Sequence, residues 1–359
     1  MQQFKNIYHL FQAILANLFY GFPSRRLKVI GVTGTDGKTT TTHLIAHILK
    51  SAGKKVSFIS SVVAEGFHVT TPSSFALQKL LKQSADNHDE YFVLETTSHA
   101  LDQNRVWGIK YEIGVITNIT HEHLDYHKTF EDYTKTKLRL IEMSKVGVKN
   151  TEKIENIVKK IPNLTEFNQR NYSSAYLVCK ELGLSDGMIL KAMKTFKLPK
   201  GRFDLVYNKE FKVIIDFAHT PNALLQLLPA IRKLYLKKGR RLIHVFGSAG
   251  LRDFTKRPLM GEASDKFSDI IILTEEDYRT EDPKKICQQI TTGMKNKDYQ
   301  IILDRQQAIN KAIKIAKKDD VVVLTGKAHE KSLCRGKTEY PWDEYEAVIK
   351  ALQIFNIFS

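Results

Sequence analysis

Residues 31–43 read GVTGTDGKTTTTH: a glycine-punctuated turn, a lysine, and a run of hydroxyl side chains opening an apolar helix. In a strand–loop–helix setting, the backbone N–H groups of the Gly34–Thr39 turn converge on phosphate oxygens. The positive end of the following helix adds to that attraction. The nucleotide-contact set is then Gly34, Thr35, Asp36, Gly37, Lys38, Thr39 and Thr40. Lys38 supplies a mobile charge for the β- and γ-phosphates, and the Thr39 hydroxyl suits Mg²⁺. The commonest loop of this kind wants glycine at position 32, where this chain has Val32; Gly31 comes one residue too early. An accidental glycine-rich turn is the competing reading.

Magnesium needs further oxygen ligands, expected at the carboxyl ends of neighbouring strands. LETTSHALDQNR (94–105) places Glu95 at such an end, and NITHEHLDYH (118–127) brings His121, His123, Asp125 and His127 to another. Glu95 suits Mg²⁺, and a single histidine can complete the shell. Histidines this closely spaced also fit zinc, although no thiolate lies nearby. Hydrogen-bonded loop histidines are the plain alternative.

These residues need elements to position them. LKVIGVT (27–33) is a β-branched strand, and LIAHILKSAG (44–53) has helical apolar spacing with a glycine stop. KVSFIS, EYFVLETT and YEIGVITNI read as further buried strands. Apolar runs interleaved with helices imply a parallel sheet covered on both faces. A second series, KVIIDFA, RLIHVFGS, DIIILTEED, QIILD and DDVVVLTGKA, follows Gly201. The stretch from Ser144 to Lys200 reads as Lys-rich and helical. Two α/β domains meeting near residues 197–201 are expected, and 359 residues suffice for both.

Composition narrows the class. Hydrophobic content of 42% argues for a globular chain, and a formal charge of +16 fits an anionic ligand, nucleic acid or an anionic membrane surface. Cys179, Cys287 and Cys334 are far apart, which argues for a reducing compartment and against a disulfide framework. No secretory signal is evident. Ile7 to Phe22 is apolar but carries His9, Gln12 and Asn17, too polar and short for a confident membrane span. A helix packed on the body is expected, with a membrane-surface helix as the alternative.

GVTGTDGKTTTT, TTPSS (70–74), ETTSHALDQNR, THEHLDYHKTFEDYTKTK (120–137), DFAHTP (216–221), KRPLMG (256–261) and GKAHE (326–330) occur in that order. Together they resemble the Mur ligase superfamily, in particular MurE-type UDP-N-acetylmuramoyl-tripeptide synthetases, from about Tyr20 to Val348. In that family the GTxGKTT loop is the normal form. The resemblance implies an α/β fold: a P-loop central domain with a mainly parallel sheet (27–197) and a C-terminal Rossmann-like α/β domain (198–359), after an apolar helical leader (1–26).

The resemblance also implies roles. Thr39 and Glu95 would hold one Mg²⁺, and Glu95 with His123 would serve a second. Lys137 matches a lysine that is carbamylated to N6-carboxylysine, turning a cation into an anionic metal ligand. Lys38, Lys137, Arg202 and His219 form the catalytic set. Asn168 and Asn171, in FNQRN, face the adenine, and Arg202 and Asp216 contact ATP from the C-terminal domain. The active site would therefore be complete only when the two domains close. Thr70, Thr71, Thr97, Gln103 and Arg105 match contacts to a muramyl-peptide acceptor. Arg252, Asp277, Arg279, Gly326 and Glu330 match contacts to the incoming amino acid. Enzymes that select meso-diaminopimelate carry DNPR, where this chain has EDYR (276–279). The retained Arg279 favours diaminopimelate, with L-lysine next.

The implied function is an ATP-dependent amide ligase of peptidoglycan precursor synthesis that forms an acyl phosphate. It would be a cytoplasmic monomer or a membrane-peripheral one, with no nucleic-acid partner. MurE-type enzymes also have an N-terminal UDP-binding domain, which does not precede the loop here, and the Lys137–Asn168 spacing is shorter than theirs. Other superfamily ligases, of folylpolyglutamate or isoglutaminyl synthase type, are the rival enzymes. A degenerate membrane-associated ATP-binding protein is the rival of another class.

Overall fold

Val29 and Ile30 point to opposite faces of one sheet, and each face has its own core. The computed structural model describes residues 2–63, 70–120, 122–149, 158, 161, 164–295, 298–355 and 357. The chain divides into two compact units: Met1–His121 with His127–Pro199, and Glu122–Tyr126 with Lys200–Ser359.

The first unit opens with α1 (Gln2–Tyr20), then β1 (Lys28–Thr33), α2 (Lys38–Ser51), β2 (Val56–Ile59), α3 (Ser74–Asp86), β3 (Tyr91–Glu95) and α4 (Ser98–Asp102). It continues with β4 (Tyr111–Ile116), α6 (Phe130–Glu142), β5 (Ser144–Lys149), α7 (Glu166–Glu181) and α8 (Asp186–Thr195); the single turn α5 (Leu124–His127) lies between β4 and α6 in the chain, and all of it but His127 falls in the second unit. Its strands form one parallel sheet in the order β2-β3-β1-β4-β5. Ile30 and Val32 face a core with α2, α7 and α8, while Val29, Phe92 and Leu94 face a core with α3, α4 and α6. One expectation is corrected. Ser144–Lys149 is an edge strand, not the start of a helical stretch. Its SKVGVK pattern alternates, and Gly147 lets Ile141 lie where a Cβ would be.

The second unit contains β6 (Asp204–Asn208), β7 (Lys212–Asp216), α9 (Pro221–Tyr235), β8 (Leu242–Phe246), α10 (Lys256–Phe267), β9 (Ile270–Leu273) and α11 (Pro283–Thr291). After these come β10 (Tyr299–Ile301), α12 (Arg305–Ile315), β11 (Val321–Thr325), β12 (Ser332–Arg335), β13 (Thr338–Pro341) and α13 (Glu344–Ile354). The sheet order is β10-β9-β8-β11-β7-β6, parallel except for the antiparallel edge strand β6. Val213 and Val322 face α12 and α13, and Ile214 and Val323 face α9, α10 and α11. Both units thus show the expected α/β class. The edge strand β6 and the β12–β13 hairpin are additions that the apolar pattern did not announce.

Candidate active site

The phosphate loop joins β1 to α2. Gly34 (φ 151°) and Gly37 (φ 80°) both lie in the region that favours glycine. A Cβ on Gly34 would sit 1.8 Å from Thr117 Oγ1, and one on Gly37 would sit 2.0 Å from Asn171 Oδ1. The loop is held from below: Thr117 Oγ1 donates to Asp36 O (2.6 Å), and Asp36 N donates to Asn118 Oδ1 (3.0 Å). Thr35 Oγ1 accepts from Thr120 N at 2.9 Å and shares a hydrogen bond with Tyr133 Oη at 3.1 Å. The N-cap of α2 is Gly37, which has no side chain to cap it, so the first-turn N–H groups of the helix suit an anion at the loop. Lys38 Nζ folds back onto Gly34 O (3.1 Å) and Thr35 O (2.8 Å). Gly31 is not part of this cradle. A Cβ there would meet Leu140 and Tyr111 at 2.7 Å, so it is a packing glycine under α6.

Thr39 and Glu95 lie side by side. Thr39 Oγ1 lies 3.0 Å from Glu95 Oε2, Ser61 N donates to that same oxygen at 3.0 Å, and Ser61 Oγ lies 3.0 Å from Thr39 Oγ1. The cluster is all oxygen, the donor chemistry of Mg²⁺. Ser61 was missed because nothing in its neighbourhood marks it; β2 ends just before it. Lys137, 1% exposed on α6, donates to Gly34 O at 2.6 Å and lies over the Tyr133 ring. A lysine this deeply buried beside a phosphate loop is not one of many surface lysines.

Thr71, Thr97 and Arg105 also converge. Thr71 Oγ1 bonds Glu95 O (3.0 Å) and accepts from Thr97 N (3.0 Å), and Arg105 donates to Thr71 O (2.6 Å). Thr97 caps α4, and Gln103 closes its other end. Thr70 begins the described residues of this segment and is half-buried. Asn168 and Asn171 pair on α7 (3.1 Å), with Asn171 against Gly37. Among the histidines, His121 lies outside the described residues. His127 is buried against Ser98 Oγ (3.0 Å). His123 (φ 58°) belongs to the second compact unit, with Asp125. Among the described residues no three His, Cys, Asp or Glu side chains gather as a metal-binding group.

In the second unit, Asp216 accepts from Phe203 N (2.6 Å) and Ala218 N (2.7 Å), which fixes the turn carrying Arg202 to the end of β7. Arg202 lies over Phe217, whose ring also packs on His219 and His329. His329, from GKAHE, joins this cluster through Arg202 at 3.4 Å.

The residues assigned to the amino acid are dense in charge. Asp277 Oδ1 binds Lys327 Nζ (2.8 Å) and Cys334 N (3.0 Å). Glu330 takes the other side of Lys327 at 2.5 Å. Burial opposes the Lys327 charge, but Glu330 and Asp277 hold its pKa above the ordinary lysine value. Arg279 (φ 52°) donates to Gly250 O at 2.8 Å, and Arg252 is exposed. Arg335 occupies Glu275, and Lys256 pairs with the buried Glu122 at 3.1 Å. Glu276 differs from Glu275, Asp277 and Glu330. Its Oε2 is buried without a hydrogen-bond partner, and burial pushes its pKa up. Gly326 (φ 102°) leaves the space beside it: a Cβ there would sit 2.8 Å from that oxygen. Sequence reasoning passed over Glu276 because Asp277 and Glu330 are equally acidic on paper. Only their partners separate them.

Comparisons with known proteins identify the family. Residues 32–179 match the Mur ligase middle domain, and residues 201–328 the Mur ligase glutamate ligase domain. The UDP-N-acetylmuramoyl-L-alanyl-D-glutamate--2,6-diaminopimelate ligase 1 of Clostridium acetobutylicum is 37% identical, over 94% of this chain and 80% of that protein. The UDP-N-acetylmuramyl-tripeptide synthetase of Borreliella burgdorferi is 35% identical over 95% and 80%. The former alignment runs over 390 positions, more than the 359 residues here, so the relative carries segments that this chain lacks. A solved diaminopimelate ligase of the same description superposes with a TM-score of 0.56 at 27% identity, covering 92% of this chain and 79% of that one. The chain belongs to the Mur ligase family.

Proposed function

We propose that the protein joins the carboxylate of a UDP-N-acetylmuramoyl-L-alanyl-D-glutamate-like acceptor to an amine of 2,6-diaminopimelate, using ATP and Mg²⁺. The observation that carries this reading is the glycine cradle with its Thr39–Glu95 oxygen cluster, in a Mur ligase chain. Bound ATP·Mg²⁺ would supply the phosphoryl group that turns an unreactive carboxylate into an acyl phosphate. Gly34 to Thr40 hold the phosphates, Lys38 offsets their charge, and Thr39 and Glu95 hold metal, with His123 serving a second ion. Asn168 and Asn171 take the adenine, and Arg202, His219 and Asp216 complete the nucleotide contacts. Thr70, Thr71, Thr97, Gln103 and Arg105 orient the acceptor carboxylate. Positioning and charge stabilisation carry most of such a barrier.

Lys137 acts as N6-carboxylysine in this reading, its carbamate oxygens serving the metal. Its burial on the phosphate loop, beside Gly34, supports the assignment. Lys137→Ala is expected to abolish turnover, with partial recovery in formate or acetate. Absence of both effects would discard the carbamate.

Arg279 and Arg252 take the carboxylates of the incoming diamino acid. Glu276 takes an ammonium, because its Oε2 is buried without a hydrogen-bond partner among the described residues, whereas Glu275, Asp277 and Glu330 are paired with Arg335 and Lys327. The test is ADP release with acceptor and ATP present and diaminopimelate, L-lysine or ornithine supplied in turn. Release that needs both acceptor and diaminopimelate supports the reading. Preference for lysine would move the assignment to that amine, and release without an acceptor would end it.

A further inference from the structure

Helix α1 turns its apolar side to solvent. Phe4 is 79% and Phe19 75% exposed, with Ile7, Tyr8, Phe11, Leu15 and Leu18 exposed between them. These positions recur every three or four residues, so they form one stripe along the helix. Phe75 of α3 extends it, its ring 6.5 Å from that of Phe19. The stripe cannot roll inward, because the opposite side of α1 is fixed. Ala13, Ala16 and Asn17 are fully buried, and Asn17 Nδ2 donates to Trp107 O at 2.8 Å. Asn6 Nδ2 donates to Asp102 Oδ2 at 3.0 Å. A contiguous apolar patch of this kind marks an interaction surface, unlike singly scattered apolar residues.

Charge selects the occupant. The first acidic residue of the chain is Asp36, while Lys5, Arg25, Arg26 and Lys28 precede it. On α3, Lys79 and Lys82 follow Phe75 on the same side, one and two turns along. Arg26 and Lys82 share Asp86, and Lys5, Arg25, Lys28 and Lys79 are further exposed cations of these segments. A second copy would bring two such sets of cations and two +16 chains together. An anionic lipid surface satisfies both the stripe and the cations. Among the described residues no helix is long and apolar enough to cross a bilayer.

We propose that α1 lies in the plane of an anionic membrane surface, its phenylalanine-rich stripe among the acyl chains and the exposed cations at the headgroups. The test is co-sedimentation of the full chain with phosphatidylglycerol-containing vesicles and with phosphatidylcholine vesicles. Binding is expected to the former and weakly to the latter, falling as salt rises from about 0.05 M to about 0.5 M. The double substitution Phe11→Glu with Leu18→Glu should lower partitioning about tenfold or more, because each charge replaces a lipid-facing apolar group. Its melting temperature should stay near that of the parent, since both side chains touch solvent. Lys79→Glu should lower partitioning about fivefold or more, a surface lysine contributing about 1 kcal/mol. Three results would overturn the proposal. One is no binding to anionic vesicles at low salt. Another is binding indifferent to the double substitution. The third is a dimer in light scattering that this substitution dissolves, which would make a second copy the occupant.

Discussion

The two compact units display polar groups in opposite ways. Around the phosphate loop, the first unit offers backbone N–H groups and small hydroxyls, pinned by neutral bonds from Thr117, Asn118 and Thr120. Around Gly326, the second unit gathers full charges that mostly satisfy one another, Lys327 between Asp277 and Glu330, Arg335 on Glu275. A site made of backbone is rigid and tolerates surrounding change. A site made of mutually paired charges leaves only the unmatched group for ligand. In the first unit the atoms proposed to work are repeated and adjacent in sequence; in the second, the atom proposed to work is what remains after pairing.

Lys38→Ala should have the largest effect, lowering kcat for ADP release about a thousandfold or more, because one mobile cation offsets the repulsion of phosphoryl transfer. Single-turnover assays at saturating ATP check this. Unchanged turnover would mean the neutral cradle suffices, erasing the contrast between the units.

Glu276→Gln comes next and has two readouts with opposite signs. Loss of the ammonium partner should lower kcat/KM for the diamino acid about a hundredfold, with KM(ATP) unmoved. Stability should rise. Burial raises the folded pKa of Glu276 above its ordinary value of 4.5, so the folded state holds this proton more tightly than the unfolded one. Its contribution is most favourable below 4.5 and declines as pH climbs through the folded pKa. At neutral pH the uncharged amide introduced by the substitution should therefore raise the melting temperature by a few degrees. Lower activity without higher stability would make the unpaired oxygen a packing feature.

Asp277→Asn tests the pairing itself. It restores the asparagine of the DNPR pattern while weakening one of the two carboxylate contacts to Lys327. Because Glu330 remains, the expected loss is about 1 kcal/mol, read as a lower melting temperature, with KM for the amino acid changed less than about tenfold. A hundredfold rise in KM would transfer the ammonium contact from Glu276 to Asp277.

The legible part of the molecule follows the same division. The strands announced themselves because apolar runs such as KVIIDFA and DDVVVLTGKA are buried on both faces. The phosphate loop did so because Gly34, Gly37, Lys38 and Thr39 lie within a few residues of one another. Thr71, Thr97 and Arg105 could be named from their motifs, and the structure places them in one hydrogen-bonded group. Ser144–Lys149 was misread because an edge strand carries lysines on its exposed side and no long apolar run. The hairpin β12–β13 lacks a buried face on its second strand, so no pattern marks it. Glu276 was passed over for a different reason. Which of four nearby carboxylates stays unmatched depends on Arg335, Lys327 and the Cys334 N–H, contributed by segments far along the chain.

Ser61 sharpens the contrast at its smallest scale. Its side chain shares a hydrogen bond with Thr39 Oγ1, but its backbone N–H holds Glu95 Oε2, and that bond is indifferent to the residue present. If the first unit works through its backbone, Ser61→Ala should raise the Mg²⁺ concentration for half-maximal activity only about twofold to fivefold, the worth of one neutral hydrogen bond. Thr39→Ala, which removes a hydroxyl assigned directly to the metal, should raise it by more than about ten times that factor. A Ser61 effect as large as that of Thr39 would make Ser61 a metal ligand in its own right. The first unit would then depend on side chains as fully as the second.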